Sequence, residues 1–151
     1  QEDELRAFLS LVGRRSPKSG ELAWALGRFS RACSAQRPSE SLTDALLALR
    51  ALLEPEGPQS GRLPARLAAL CAIAEQRATV TERVAHLAAL ERSVVAGVAP
   101  DDESLREPVE ELVGWLRALL RDVLCGHLDS DLRAVADGIF ADEDARQATL
   151  V

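Results

Sequence analysis

Proton transfer and metal binding near neutral pH draw first on histidine and cysteine, and this chain of 151 residues holds two His and three Cys. His86 sits beside an apolar helical stripe and reads as a partly buried helix residue. His127 follows Gly126 just past a helix end, where an imidazolium would interact favourably with terminal carbonyls. Cys33, Cys71 and Cys125 are far apart, each among apolar neighbours, and form no CxxC or Cys/His cluster. They read as small buried hydrophobes in a reducing compartment rather than zinc ligands. Adjacent carboxylates such as Asp101/Asp102 and Glu110/Glu111 read as solvated faces and helix-start charges, not acid–base pairs. Neither a phosphate-loop GxxxxGKS/T, nor GxGxxG after a strand, nor GxSxG occurs. What remains is Leu90-Glu91-Arg92-Ser93-Val94-Val95-Ala96-Gly97, the end of an apolar helix carrying one guanidinium. Five residues beyond Arg92 stands Gly97, which has no proton to give or take.

The elements that must position Arg92 are helical: strict apolar/polar alternation is nearly absent, and the 3.6-residue period recurs throughout. The pattern predicts a first helix over about Glu2–Val12, then a Gly/Ser/Pro hinge over Gly13–Gly20. A second helix runs from about Glu21 to Ala35, with Leu22, Leu26, Phe29 and Cys33 on one face, and Arg37-Pro38-Ser39 breaks it. The third, about Leu42–Leu53, has Ser41 as its N-cap and Leu42, Leu46, Leu49 and Leu53 in register. Pro55-Glu56-Gly57-Pro58 stops it. The fourth covers about Leu63–Glu75, with Pro64 in its first turn. The fifth opens on the capping box Thr79-Val80-Thr81-Glu82 and ends at Gly97, burying Val80, Val84, Leu87 and Val94/Val95. The sixth, about Leu105–Leu124, keeps Leu105, Val109, Leu112, Leu116, Leu119 and Val123 in register over five turns. The last spans about Asp131–Ile139, with a frayed acidic tail beyond it. Short breaks between helices predict an all-α, single-domain antiparallel bundle of about six to seven helices. Its parts are an N-terminal helix and hinge (1–20), the bundle (21–140) and the tail (141–151).

Composition agrees with a globular core: 47% of residues are apolar and 28% charged, with three Phe, two Trp and no Tyr. Arg outnumbers Lys seventeen to one, a bias expected from genomic base composition. The lack of Met, even at position 1, leads us to expect a piece of a longer product. Net charge is −6, with +1 in residues 1–75 and −7 in residues 76–151. The acidic second half repels phosphate, so a broad non-specific nucleic-acid footprint is not expected. Arg14, Arg15 and Lys18 leave room for a local basic site, though they read first as a solvated loop. Apolar runs fall well short of the ~20 residues a membrane span needs, so no membrane association is expected and cytoplasm is the default.

Arg28-Phe29, Asp44-Ala-Leu-Leu-Ala-Leu-Arg-Ala-Leu-Leu-Glu54, Arg66-Leu-Ala-Ala-Leu70 and Leu90-Glu-Arg-Ser-Val-Val95 together resemble the HEPN superfamily. The resemblance is to its Apea-like branch, in which RF…DxLIALEALLE…RxA…YxxRSxIVHG recurs, and it covers roughly Arg28 to Leu124. It implies an all-α bundle that dimerises so that two Arg-x4-His motifs face each other. In active members the arginine positions an RNA phosphate while the histidine drives metal-independent cleavage. Arg92 and Ser93 match the motif, whereas Gly97 takes the histidine's place, Val98 that of a frequent glycine, and Arg50 that of a frequent glutamate. The expectation is therefore not an enzyme but a degenerate relative, needing no cofactor or metal, that homodimerises or docks on a protein partner. Trp115, Leu120 and Leu124 on the sixth helix are the candidate interface, and Trp24 on the second carries the same ambiguity between contact and core. The alternative is an RNA or nucleotide binder in which Arg92, Ser93, Arg50, Arg66 and Arg28 form a phosphate-reading cluster. An active ribonuclease ranks third.

Overall fold

The computed structural model describes residues 20–98 and 100–149, so the expected helix over Glu2–Val12, most of the hinge and the Arg14/Arg15/Lys18 group lie outside the described residues. Six α-helices and two short 3₁₀ turns, with no strand, make up the described residues. The helices are α1 (Glu21–Ser34), α2 (Pro38–Leu53), α3 (Leu63–Cys71), α4 (Arg77–Val95), α5 (Asp102–Leu124) and α6 (Leu132–Thr149). The all-α bundle read from periodicity is what the chain adopts.

At the centre lies α2, which touches all five other helices. Leu42, Ala45, Leu46, Leu49 and Leu53 are fully buried on it, the expected leucine register widened by alanines that let neighbours approach closely. Leu63 and Leu67 of α3, Val84 and Leu87 of α4, and Leu105, Leu112, Leu116 and Leu119 of α5 complete the core.

Boundaries differ from the sequence expectation in instructive ways. Pro38 is the first residue of α2 rather than part of a break, since a missing N–H costs nothing in a first turn. Ser41 is accordingly inside α2, and its hydroxyl donates to the Ala32 carbonyl of α1 at 2.9 Å instead of capping. The expected box at Thr79–Glu82 likewise lies within α4, which starts at Arg77 without a side-chain cap. α3 stops at Cys71, and a separate 3₁₀ turn over Ala74–Gln76 leaves Ile73 62% exposed. α5 begins earlier than expected because Asp101 caps it: its carboxylate accepts the Ser104 N–H at 2.9 Å, which holds that carboxyl below its ordinary range. The tail expected to fray is helical through Thr149, and Glu143 pairs with Arg77 of α4 across the bundle.

Two further expectations are corrected by burial. Cys33 and Cys125 are exposed and only Cys71 is substantially covered, its thiol pushed up to about 12 by burial and, secondarily, by Asp122. His86 is exposed rather than partly buried, lining a surface groove with Leu87 of α4 and Glu107, Pro108 and Glu111 of α5.

Candidate functional site

The end of α4 is shaped by Gly97. Its φ of 77° is left-handed, the Gly97 N–H donates to Val94 O at 3.0 Å, and the Val98 N–H donates to Ser93 O at 2.8 Å. These crossed bonds satisfy carbonyls that the last helical turn leaves open, and a residue with a Cβ adopts that backbone only at a cost. Gly97 is thus the terminator of α4. Ser93 contributes its carbonyl to this cap and is half-buried.

Arg92 is exposed at the rim of a groove of about 700 Å³ between α4 and the Pro58–Pro64 segment. Pro58, Pro64, Ala85 and Ala89 form its apolar walls, and Arg50, Glu54 and Glu91 form its floor. Arg50 reaches from α2 to pair with Glu91 of α4, and its Nε lies 3.7 Å from Glu54. Glu91 is buried because it continues the core register of Val80, Val84 and Leu87, so Arg50 answers a carboxylate that α4 carries inward. Glu54 is 4% exposed, and one of its oxygens accepts from Ser60 Oγ at 2.8 Å, Arg62 N–H at 2.9 Å and Leu63 N–H at 3.2 Å. It therefore ties the loop down and supplies the negative charge that the N-terminus of α3 favours.

The expected arginine cluster does not assemble around Arg92. Only Arg50 joins it, and two carboxylates flank that guanidinium, leaving a floor with a net negative charge. Arg66 is buried elsewhere and saturated: its fork binds Glu56 through two bonds of 2.9 Å, Asp137 at 2.9 and 3.0 Å, and the Leu53 carbonyl at 2.7 Å. Arg28 lines a different groove with Val94, donates to Asp44 at 2.9 Å and stacks 4.9 Å from the Trp24 ring centroid. The side chain of Arg92 makes no hydrogen bond or ion pair among the described residues.

Of the residues expected as an interface on α5, burial removes Leu120. Leu120 is 2% exposed and lies in the core, while Trp115 and Leu124 are half-buried, Trp115 packed against the core cluster. The stripe is broad because α5 touches α1, α2, α3 and α4 rather than one neighbour. Sequence reasoning does not find the buried carboxylates Glu54 and Glu91. Glu91 carries a signal, its place in the i+4, i+7, i+11 spacing from Val80, whereas Glu54 carries none, since its donors follow from the loop's path.

Chemically, the groove offers one free guanidinium above an apolar wall and an occupied ion-pair floor. Neither histidine nor cysteine lines it. Among the described residues no group of three His, Cys, Asp or Glu is placed to hold a metal ion, and no helix is long and apolar enough to cross a membrane. No family model, curated protein or solved structure matches the chain.

Proposed function

We propose that this chain is a non-catalytic helical interaction module, resembling a HEPN domain without its nuclease histidine, that contacts a protein partner through the exposed end of α4. The observation that carries this reading is Gly97. A helix terminator with left-handed backbone occupies the position that the HEPN resemblance assigns to the family's histidine. Arg92 itself is free, accessible and flanked by apolar surface: Val95 and Val98 are 76% and 73% exposed. An unpaired arginine beside apolar residues is a common composition of contact surfaces.

The competing RNA-binding reading needs several arginines converging on one phosphate path. Arg28, Arg50 and Arg66 are each committed to carboxylates, so a phosphate would have to displace Glu56, Asp137, Glu91 or Asp44. Fluorescence anisotropy of a labelled single-stranded RNA separates the two readings. We expect no saturable binding at about 50 mM salt, where phosphate contacts are strongest. Binding that weakens steeply toward about 200 mM salt and disappears in Arg92→Ala would replace the protein-contact reading with the nucleic-acid one.

A further inference from the structure

A groove of about 450 Å³ runs between the corner that joins α1 to α2 and one face of α5. Its floor is apolar, built from the buried Ala32, Val109 and Val113. Its rim is charged. Arg37 stands on the α1–α2 corner, and Arg106, Glu110 and Arg117 follow one another along a single side of α5. Arg37 reaches Asp102 in the first turn of α5, so it shares the Arg106 end of the groove. In a chain of net charge −6, the groove therefore sets two guanidinia at one end, a third at the other and a lone carboxylate between them.

The fold does not use these charges up as it does those of Arg50 and Arg66. Arg37 touches Asp102 through Nε alone, at 3.4 Å, and Arg106 meets Glu103 of the preceding turn at 3.7 Å. Exposed pairs of this kind hold loosely and yield to a better-placed carboxylate. Arg117 has no ion pair among the described residues; its guanidinium lies over the Phe29 ring, 5.8 Å from the centroid. A ring contact engages the face of the guanidinium and leaves its edge donors available. Glu110 makes no hydrogen bond or ion pair among the described residues.

We infer that this groove docks an extended acidic segment of a protein partner, with carboxylates at its two ends and a basic side chain between them to meet Glu110. Arg106 and Arg117 spring from points about 16 Å apart along α5, a distance that about five residues of extended chain cover. Each guanidinium fork takes a carboxylate through two parallel bonds. A small anion does not reach both ends. A nucleic-acid strand would set phosphates against Glu110 as well as against the arginines, whereas a peptide can change sign along its length. The inference goes beyond the contact proposed at Arg92 and does not depend on it, because no residue of α4 lines the groove. RNA turnover at Arg92 would leave it standing.

Fluorescence anisotropy on the full chain tests it, using a dye-labelled peptide of about eight residues with a pair of glutamates at each end and a lysine in the middle. At about 50 mM salt a Kd of about 10–100 µM is expected, weakening severalfold by about 200 mM. Arg106→Glu and Arg117→Glu are each expected to raise Kd at least about tenfold. Glu110→Lys is expected to weaken this peptide and to tighten an all-glutamate peptide of the same length, a reversal that mere loss of structure does not produce. All three positions are exposed, so circular dichroism should show unchanged folding. Bound peptide should slow alkylation of Cys33, exposed on the groove wall, and not that of Cys125, exposed outside it.

Equal affinity for a peptide with glutamine in place of glutamate would overturn the inference. So would arginine variants that bind like wild type, a Glu110→Lys variant that shifts both peptides the same way, or a Cys33 left unprotected. Displacement of the peptide by millimolar phosphate at matched ionic strength would replace it with a small-anion site. A single-stranded RNA that competes at lower concentration than the peptide would replace it with a nucleic-acid site.

Discussion

Arg66→Met is expected to destabilise the bundle by about 3 kcal/mol, which for a chain of this size lowers Tm by roughly 6–12 °C. Removing one partner of a buried ion pair costs about 3–5 kcal/mol, chiefly through the charges left behind. Here Glu56 and Asp137 are 36% and 44% exposed and can rehydrate, so the lower end applies. The Leu53 carbonyl, which accepts from Arg66 at 2.7 Å, loses that bond as well. Arg66→Lys should recover little, because an ammonium cannot fork to two carboxylates at once. The same centre sets an acid response. The Arg66 hydrogen bond holds Glu56 at about 2 against an ordinary 4.5, so its stabilisation is complete above pH 4.5 and is lost as pH falls toward 2. Urea melts of wild type and Arg66→Met at stepped pH should therefore converge across that window. Parallel curves would mean that Glu56 draws nothing from Arg66.

Glu54→Leu is expected to cost about 3 kcal/mol, since each buried donor left unpaired costs about 1–3 kcal/mol. The carboxylate serves two backbone N–H groups and a hydroxyl at the start of α3, and Arg50 loses one of its two flanking charges. Glu54→Gln keeps an acceptor in place and should cost about 1 kcal/mol. Thermal melts of both variants check the order, and equal losses would show that charge, not the accepting oxygen, is what the loop requires.

Much of the bundle was legible because periodicity reports which side of a helix is covered. The leucine register of α2 and α5 and the stops at Gly97 and Gly126 needed nothing beyond local chemistry. Helix starts were less legible: Ser41 and Thr79 have the composition of caps, yet Pro38 and the 3₁₀ turn before Arg77 let the helices begin earlier. The arginines were the hardest to read. A guanidinium looks alike in sequence whether it awaits a phosphate or already holds carboxylates. Asp137 lies 71 positions from Arg66, and Glu91 lies 41 from Arg50, distances over which spacing carries no information. The same holds for the acidic tail, where Glu143 has a partner on α4 that only the packed bundle supplies.

The most direct measurement is turnover of a fluorescent single-stranded RNA in metal-free buffer, comparing wild type with Arg92→Ala. On the proposed reading, in which Gly97 takes the place of the family's histidine, both proteins are expected to leave the RNA intact at equal background rates. Cleavage by wild type that is abolished in Arg92→Ala would contradict the non-catalytic reading and make Arg92 part of an active site.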